Sequence, residues 1–174
     1  MNLKNITQEE FVNLFGEEAE ELVIGHEFDL FVVNNTTAVE IGLIPEFSSC
    51  VVPMIYHGET EVARVMIINL EAACGALPVM KRLDKAFVRK TARGQLVHEL
   101  THVRQLMEGR LVNDETGTYW EGVKYDTTPG VNDNYFSTPW EKEAYINQFM
   151  HELDCGHKEA EEALCRSIET YKAA

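Results

Sequence analysis

Five consecutive residues, His98-Glu99-Leu100-Thr101-His102, constrain this chain more than any other feature. They call for a helix, because side chains four apart stand one above the other on a single helical face and two imidazoles can then aim at one point. With a carboxylate between them, this is the spacing of a zinc hydrolase. His98 and His102 can aim their nitrogens at one Zn²⁺ ion, and Glu99, about a quarter-turn round, is placed to take a proton from water. Short patterns recur by chance, so the flanks matter, and they predict the same helix. Asp84 can cap it, Leu96, Leu100, Val103 and Met107 recur at three- and four-residue steps, and Gly109 stops the run. By helical rotation the apolar stripe lies roughly opposite His98 and His102, which predicts that the histidines face a cleft. Gly94, one turn before His98, either leaves room for a substrate or a closely packed strand or kinks the helix.

Two histidines alone also suit a solvated helix face, and a catalytic zinc takes three protein ligands with a fourth position open. The candidates for the third are His151, His157 and the acidic pair Glu141 and Glu143 in Pro139-Trp140-Glu141-Lys142-Glu143-Ala144-Tyr145. Pro139 suits the first turn of a helix with Thr138 or Ser137 before it, and Ala144, Phe149, Met150 and Leu153 continue the helical pattern.

A His-Glu-x-x-His helix followed by a second helix with Glu-x-x-Ala resembles the gluzincin branch of the zincin metallopeptidases. The resemblance implies that His98 and His102 are ligands, Glu99 the general base, Glu141 the third ligand and Ala144 a small residue that lets the helices pack closely. Glu143 is the competing candidate. The fuller pattern, His-Glu-Leu-Thr-His-Val-Arg-Gln followed by Pro-Trp-Glu-Lys-Glu-Ala, is similar to small metallopeptidases of tailed phages and covers residues 84 to 155. Many gluzincins place Asp or Asn after the small residue, where it orients a zinc-bound histidine; this chain has Tyr145 instead, leaving Asn147, Gln148 and Gln105 as substitutes. The expected function is zinc-dependent hydrolysis of a peptide or protein substrate by an activated water. The alternatives are hydrolysis of another amide, or a non-catalytic metal-binding module acting as a phage structural or host-interaction protein.

At 174 residues and 45% hydrophobic, the chain reads as one domain, 1–174, with a single core. No window approaches 18 consecutive apolar residues and Met1-Asn2-Leu3-Lys4-Asn5 lacks a signal-peptide core, so the expectation is a protein with no membrane partner, in the cytoplasm, or the host cytoplasm if phage-encoded. Cys50, Cys74, Cys155 and Cys165 show no Cys-x-x-Cys pairing and read as reduced thiols. The formal charge of −14 argues against a nucleic-acid partner. The basic run Lys81 to Arg93 and the acidic runs Glu17 to Glu21 and Glu159 to Glu162 read as solvated helical faces. None of these features fixes an oligomeric state.

Thr7-Gln8-Glu9-Glu10 predicts a capping box opening a helix to about Ile24 with a break at Gly16. Residues 28–33, 39–43, 50–56 and 62–69 read as strands of a small, mostly antiparallel sheet, separated by Asn34-Asn35, Pro45 and His57-Gly58-Glu59-Thr60. Tyr119 to Tyr125 suggests a short strand or hairpin, Asp126 to Ser137 a polar loop, and Lys158 to Tyr171 a last helix. The order suits an α+β, zincin-like fold, in which resemblance makes Val62 to Ile68 the edge strand that holds substrate. Tyr119, Tyr125, Tyr135, Tyr145 and His151 are candidates for stabilising the oxyanion.

Overall fold

The computed structural model describes residues 1–26, 28–40, 49–55, 62–69, 84–126 and 138–173. Over these residues the chain is α+β. It divides into two compact units, 1–99 and 100–174, whose border falls inside one continuous helix.

In the first unit, Thr7 and Glu10 open α1 (Gln8–Phe15) as their residue types dictate. The Thr7 hydroxyl accepts from the Glu10 N–H at 3.2 Å, and the Glu10 carboxylate accepts from the Thr7 N–H at 2.7 Å. The Thr7 N–H and then its hydroxyl hold the Glu10 carboxyl below its ordinary pKa. Gly16, at φ 87°, breaks the helix, and α2 (Glu18–Val23) resumes after it. Both helices bury their apolar positions Phe11, Phe15, Ala19 and Val23 and leave the glutamates outside.

The strands are β1 (Asn2–Leu3), β2 (Asp29–Val33), β3 (Ser49–Ile55) and β4 (Val62–Asn69), in the order β1-β2-β4-β3. Three expectations need correction here. The sheet is not mostly antiparallel: β1 with β2 and β2 with β4 are parallel, and only β3 with β4 is antiparallel. The cause is Asn34-Asn35, which is a helix start and not a turn between strands. The Asn34 side chain accepts from the Thr37 N–H at 2.9 Å and opens α3 (Asn35–Glu40), so the chain leaves β2 through a helix. For the same reason Val39 and Glu40 are helical, and positions 41–43 of the expected strand lie outside the described residues. Finally, β4 is no edge strand, since β3 pairs with Val62 to Ile68 on one side and β2 with Val65 to Asn69 on the other. Met66, Ile67, Ile68 and Leu30 are buried, as interior strands require.

The helix α4 (Lys85–Met107) begins where Asp84 predicts, with the Ala86 N–H bonded to the Asp84 carboxylate at 3.3 Å. It ends at Gly109, which takes φ 67°. There the Arg110 N–H bonds to the Gln105 carbonyl at 3.0 Å and the Gly109 N–H to the Leu106 carbonyl at 3.2 Å, satisfying two of the terminal carbonyls. Within the first unit the Arg89 guanidinium donates to the Asn13 carbonyl at 3.0 Å and Arg93 pairs with Glu18 at 2.7 Å. Two members of the basic run therefore tie α4 to α1 and α2. Lys81 and Arg82 lie outside the described residues.

In the second unit a three-stranded antiparallel meander follows α4: β5 (Leu111–Asp114), β6 (Gly117–Trp120) and β7 (Val123–Tyr125). Glu121 and Gly122, at φ 49° and 81°, make the tight turn of the second hairpin. Strand β5 escapes notice in the sequence because its only buried residue is Leu111. Helix α5 (Pro139–Leu153) starts with Thr138 and Pro139 as predicted, and α6 (His157–Ala173) packs on it through Ile146, Ala160 and Leu164. A second cluster joins Leu111, Trp120 and Trp140, with Leu106 and Tyr125 against it. It fixes the first turn of α5, because Trp140 meets Tyr125 edge-on at 5.2 Å and Trp120 at 6.3 Å. No helix among the described residues is long and apolar enough to cross a membrane.

Candidate metal centre

The middle of α4 is buried nearly all round. Leu96, Leu100 and Val103 are buried as the stripe predicts, but so are His98, Glu99, Thr101, His102 and Gln105. The face opposite the stripe is therefore buried too. Gly94 is buried as well, and Met107, at the end of the stripe, is half exposed. Polar side chains resist such burial unless partners satisfy them, so a run of five within eight residues marks a built site.

The histidines and Glu141 supply that site. One ligand atom each from His98, His102 and Glu141 lie within 4.8 Å of one another, and all three residues are buried. The Glu141 Oε1 stands 3.4 Å from the His102 Nε2. A charge-assisted hydrogen bond between such atoms closes to about 2.7–2.9 Å, so 3.4 Å is long for one. It is instead the spacing of two ligands on one ion, since atoms about 2.1 Å from a tetrahedral metal stand about 3.4 Å apart. The residues fit a metal ion.

His102 Nδ1 lies 2.9 Å from the Gln105 Oε1, and the Gln105 Nε2 donates to the Trp140 carbonyl at 3.0 Å. A carbonyl only accepts, so the Gln105 amide nitrogen must face Trp140 and its oxygen must face His102. His102 therefore carries its proton on Nδ1, which leaves the Nε2 lone pair towards Glu141 and an ion.

Glu143, the competing ligand, is turned elsewhere. Its carboxylate takes Arg110 at 2.6 Å and 3.1 Å and Arg104 at 3.2 Å. Burial works to raise its pKa, but the Arg110 hydrogen bonds and charge, with Gln105 and Arg104, outweigh it and hold the carboxyl below its ordinary value. The bond to Glu143 is also the main reason the Arg110 guanidinium titrates above its ordinary range. Two positions along a helix are about 200° of rotation, and this separates the acids: Glu141 meets the histidine and Glu143 the arginines.

Glu99, beside His98, is buried at 2% exposure. Neither His151 nor His157 belongs to the metal-competent group. Of the substitutes for an orienting residue, Gln105 holds His102, Asn147 donates to the Thr101 hydroxyl at 3.1 Å, and Gln148 donates to Glu152 at 2.9 Å. Among the oxyanion candidates, the Tyr119 hydroxyl bonds to Thr116 at 2.7 Å, Tyr125 packs on Trp140, and Tyr145 packs on Phe149; Tyr135 lies outside the described residues. Cys155 and Cys165 are free thiols, while Cys74 lies outside the described residues.

Arg110 is the residue that sequence reasoning missed. Besides Glu143 it pairs with Glu121 at 3.3 Å and Glu108 at 3.4 Å and lies 4.5 Å from the centre of the Trp120 ring. Its place directly after the helix-ending Gly109, beside a cluster of acids, was the available signal. No protein-family model, no curated protein and no solved structure matches this chain.

Proposed function

We propose that the protein is a zinc-dependent metallopeptidase of zincin-like, gluzincin type, with His98, His102 and Glu141 as metal ligands and Glu99 as general base. The observation that supports this reading most is the buried trio of ligands with a buried carboxylate next to one of them on the same helix. Two neutral imidazoles and one carboxylate form the donor set of a catalytic zinc and leave a position open for water or substrate. When bound, zinc supplies Lewis acidity: it polarises a carbonyl and lowers the pKa of water to about 7.

The chain's own residues do the rest. His98 and His102 bind through ring nitrogens, the second held in its tautomer by Gln105. Glu141 adds a negative charge that balances part of the ion's. Glu99 takes the proton of the attacking water and passes it to the leaving amine, a role that asks for a carboxylate near the ion but not bonded to it. A structural zinc site is closed by four protein ligands and has no use for such a base, whereas among the described residues this group has three ligands, with Glu99 beside one of them. A peptide bond is the favoured substrate on the strength of the motif, and a phage origin rests on the resemblance of residues 84 to 155 alone.

The test is digestion of a diverse peptide library by the zinc-loaded protein, with Glu99→Gln beside it. The reading predicts cleavage by the parent, and normal folding and zinc content but lost cleavage in the variant. Equal cleavage by both would overturn the assignment of Glu99. A zinc-loaded parent that cleaves nothing would favour the non-catalytic module.

A further inference from the structure

Gln105 has hydrogen-bonding capacity in two directions and uses both. Its oxygen meets the His102 Nδ1, and its amide nitrogen donates to the Trp140 carbonyl. It is fully buried, so its amide has no water to turn towards. A carbonyl that can only accept on one side and a histidine on the other allow one orientation of that amide. Trp140 is the residue before Glu141, so the carbonyl that Gln105 grips belongs to the peptide unit leading into the third ligand. The chain of contacts thus runs from the Trp140 carbonyl through Gln105 to a metal-competent imidazole.

We propose that Gln105 is the positioning residue of the metal centre: its amide oxygen holds His102 in the tautomer that presents Nε2, while its bond to the Trp140 carbonyl ties the start of α5 to α4. This rests on the metal-binding reading above. The position three residues after His102 puts Gln105 within reach along the same helix, so the orienting group comes from α4.

Two measurements separate this role from ordinary packing. In the metal-free parent, two-bond ¹H–¹⁵N NMR correlation of the histidines should show neutral His102 protonated at Nδ1, the minor form for a free side chain. An Nε2-protonated His102 overturns the proposal without touching the metal assignment.

The second is zinc affinity by chelator competition, with the visible spectrum of the cobalt-substituted protein as a report on ligand geometry. Gln105→Met keeps the shape but neither hydrogen bond, and should bind zinc about 10–100-fold more weakly with an altered cobalt spectrum. Gln105→Glu keeps an acceptor for His102 and loses the donor to Trp140, so it should recover most of the zinc affinity while its metal-free form melts lower. If Gln105→Met does not fold, the glutamate variant decides: affinity near the parent's supports the proposal, and affinity falling in step with its stability overturns it. A parent that binds no zinc removes the metal reading and this proposal together, whereas Gln105→Met binding as tightly as the parent removes this proposal alone.

Discussion

The two ends of α4 are built to opposite rules. From Lys85 to Lys90 the helix shows Lys85, Phe87, Arg89 and Lys90 to solvent, and its charges are met by water or, for Arg89, by the Asn13 carbonyl of α1. From Gln95 to Gln105 it buries Gln95, His98, Glu99, Thr101, His102 and Gln105, none of them a residue a core selects for its own sake. Charge at the exposed end costs little and stabilises little; polar groups at the buried end are tolerated only where partners satisfy them. Changes at the buried end should therefore act on function and metal, and changes at the exposed end on almost nothing.

The largest effect expected is that of Glu99→Gln, about 10²–10⁴-fold in turnover, or about 3–5 kcal/mol of transition-state stabilisation. Steady-state kinetics beside metal analysis checks it, since rate and zinc content should separate. Removing the metal comes next. Zinc at about 1,000 times its dissociation constant stabilises the native state by roughly 4 kcal/mol, so a strong chelator should lower the melting temperature measured by calorimetry.

Glu143 lies at the edge of the site and should behave in between. Its pKa is lowered in the folded state, so its pairing with Arg110 stabilises fully above the ordinary carboxylate range and is lost as pH falls through the folded value. Glu143→Ala should cost about 1 kcal/mol near neutral pH, and the difference from the parent in denaturant titrations should vanish in acid. Smallest of all, Lys85→Ala and Lys90→Ala should each change stability by under about 0.5 kcal/mol in the same titrations. A larger loss at either lysine would erase the contrast between the two ends.

The same contrast explains what could be read in the sequence. Features set by a few neighbouring residues were legible: the Thr7–Glu10 box, the Asp84 cap, the Gly16 break, the Gly109 stop and Pro139 at a helix start. That His98, His102 and Glu141 come together was legible because helical spacing, and a resemblance built on it, brought them forward. What depended on distant partners was not. Asn34-Asn35 suits both a turn and a helix cap, and only the parallel pairing of β2 with β4 decides between them. Val62 to Ile68 has the composition of any buried strand, so composition could not tell an edge from the centre. Gln105, Asn147 and Gln148 are chemically alike, and choosing among them required knowing which one meets His102.

The claim on which everything else rests is that His98, His102 and Glu141 hold one metal ion, and paired zinc titrations test it most directly. The parent, Glu141→Ala and Glu143→Ala proteins, stripped and then titrated against a chromophoric chelator, should show one tight equivalent for the parent, loss of that binding for Glu141→Ala, and affinity within about tenfold of the parent for Glu143→Ala. A parent that takes up no zinc, or a pair of variants that behave the other way round, would contradict the account.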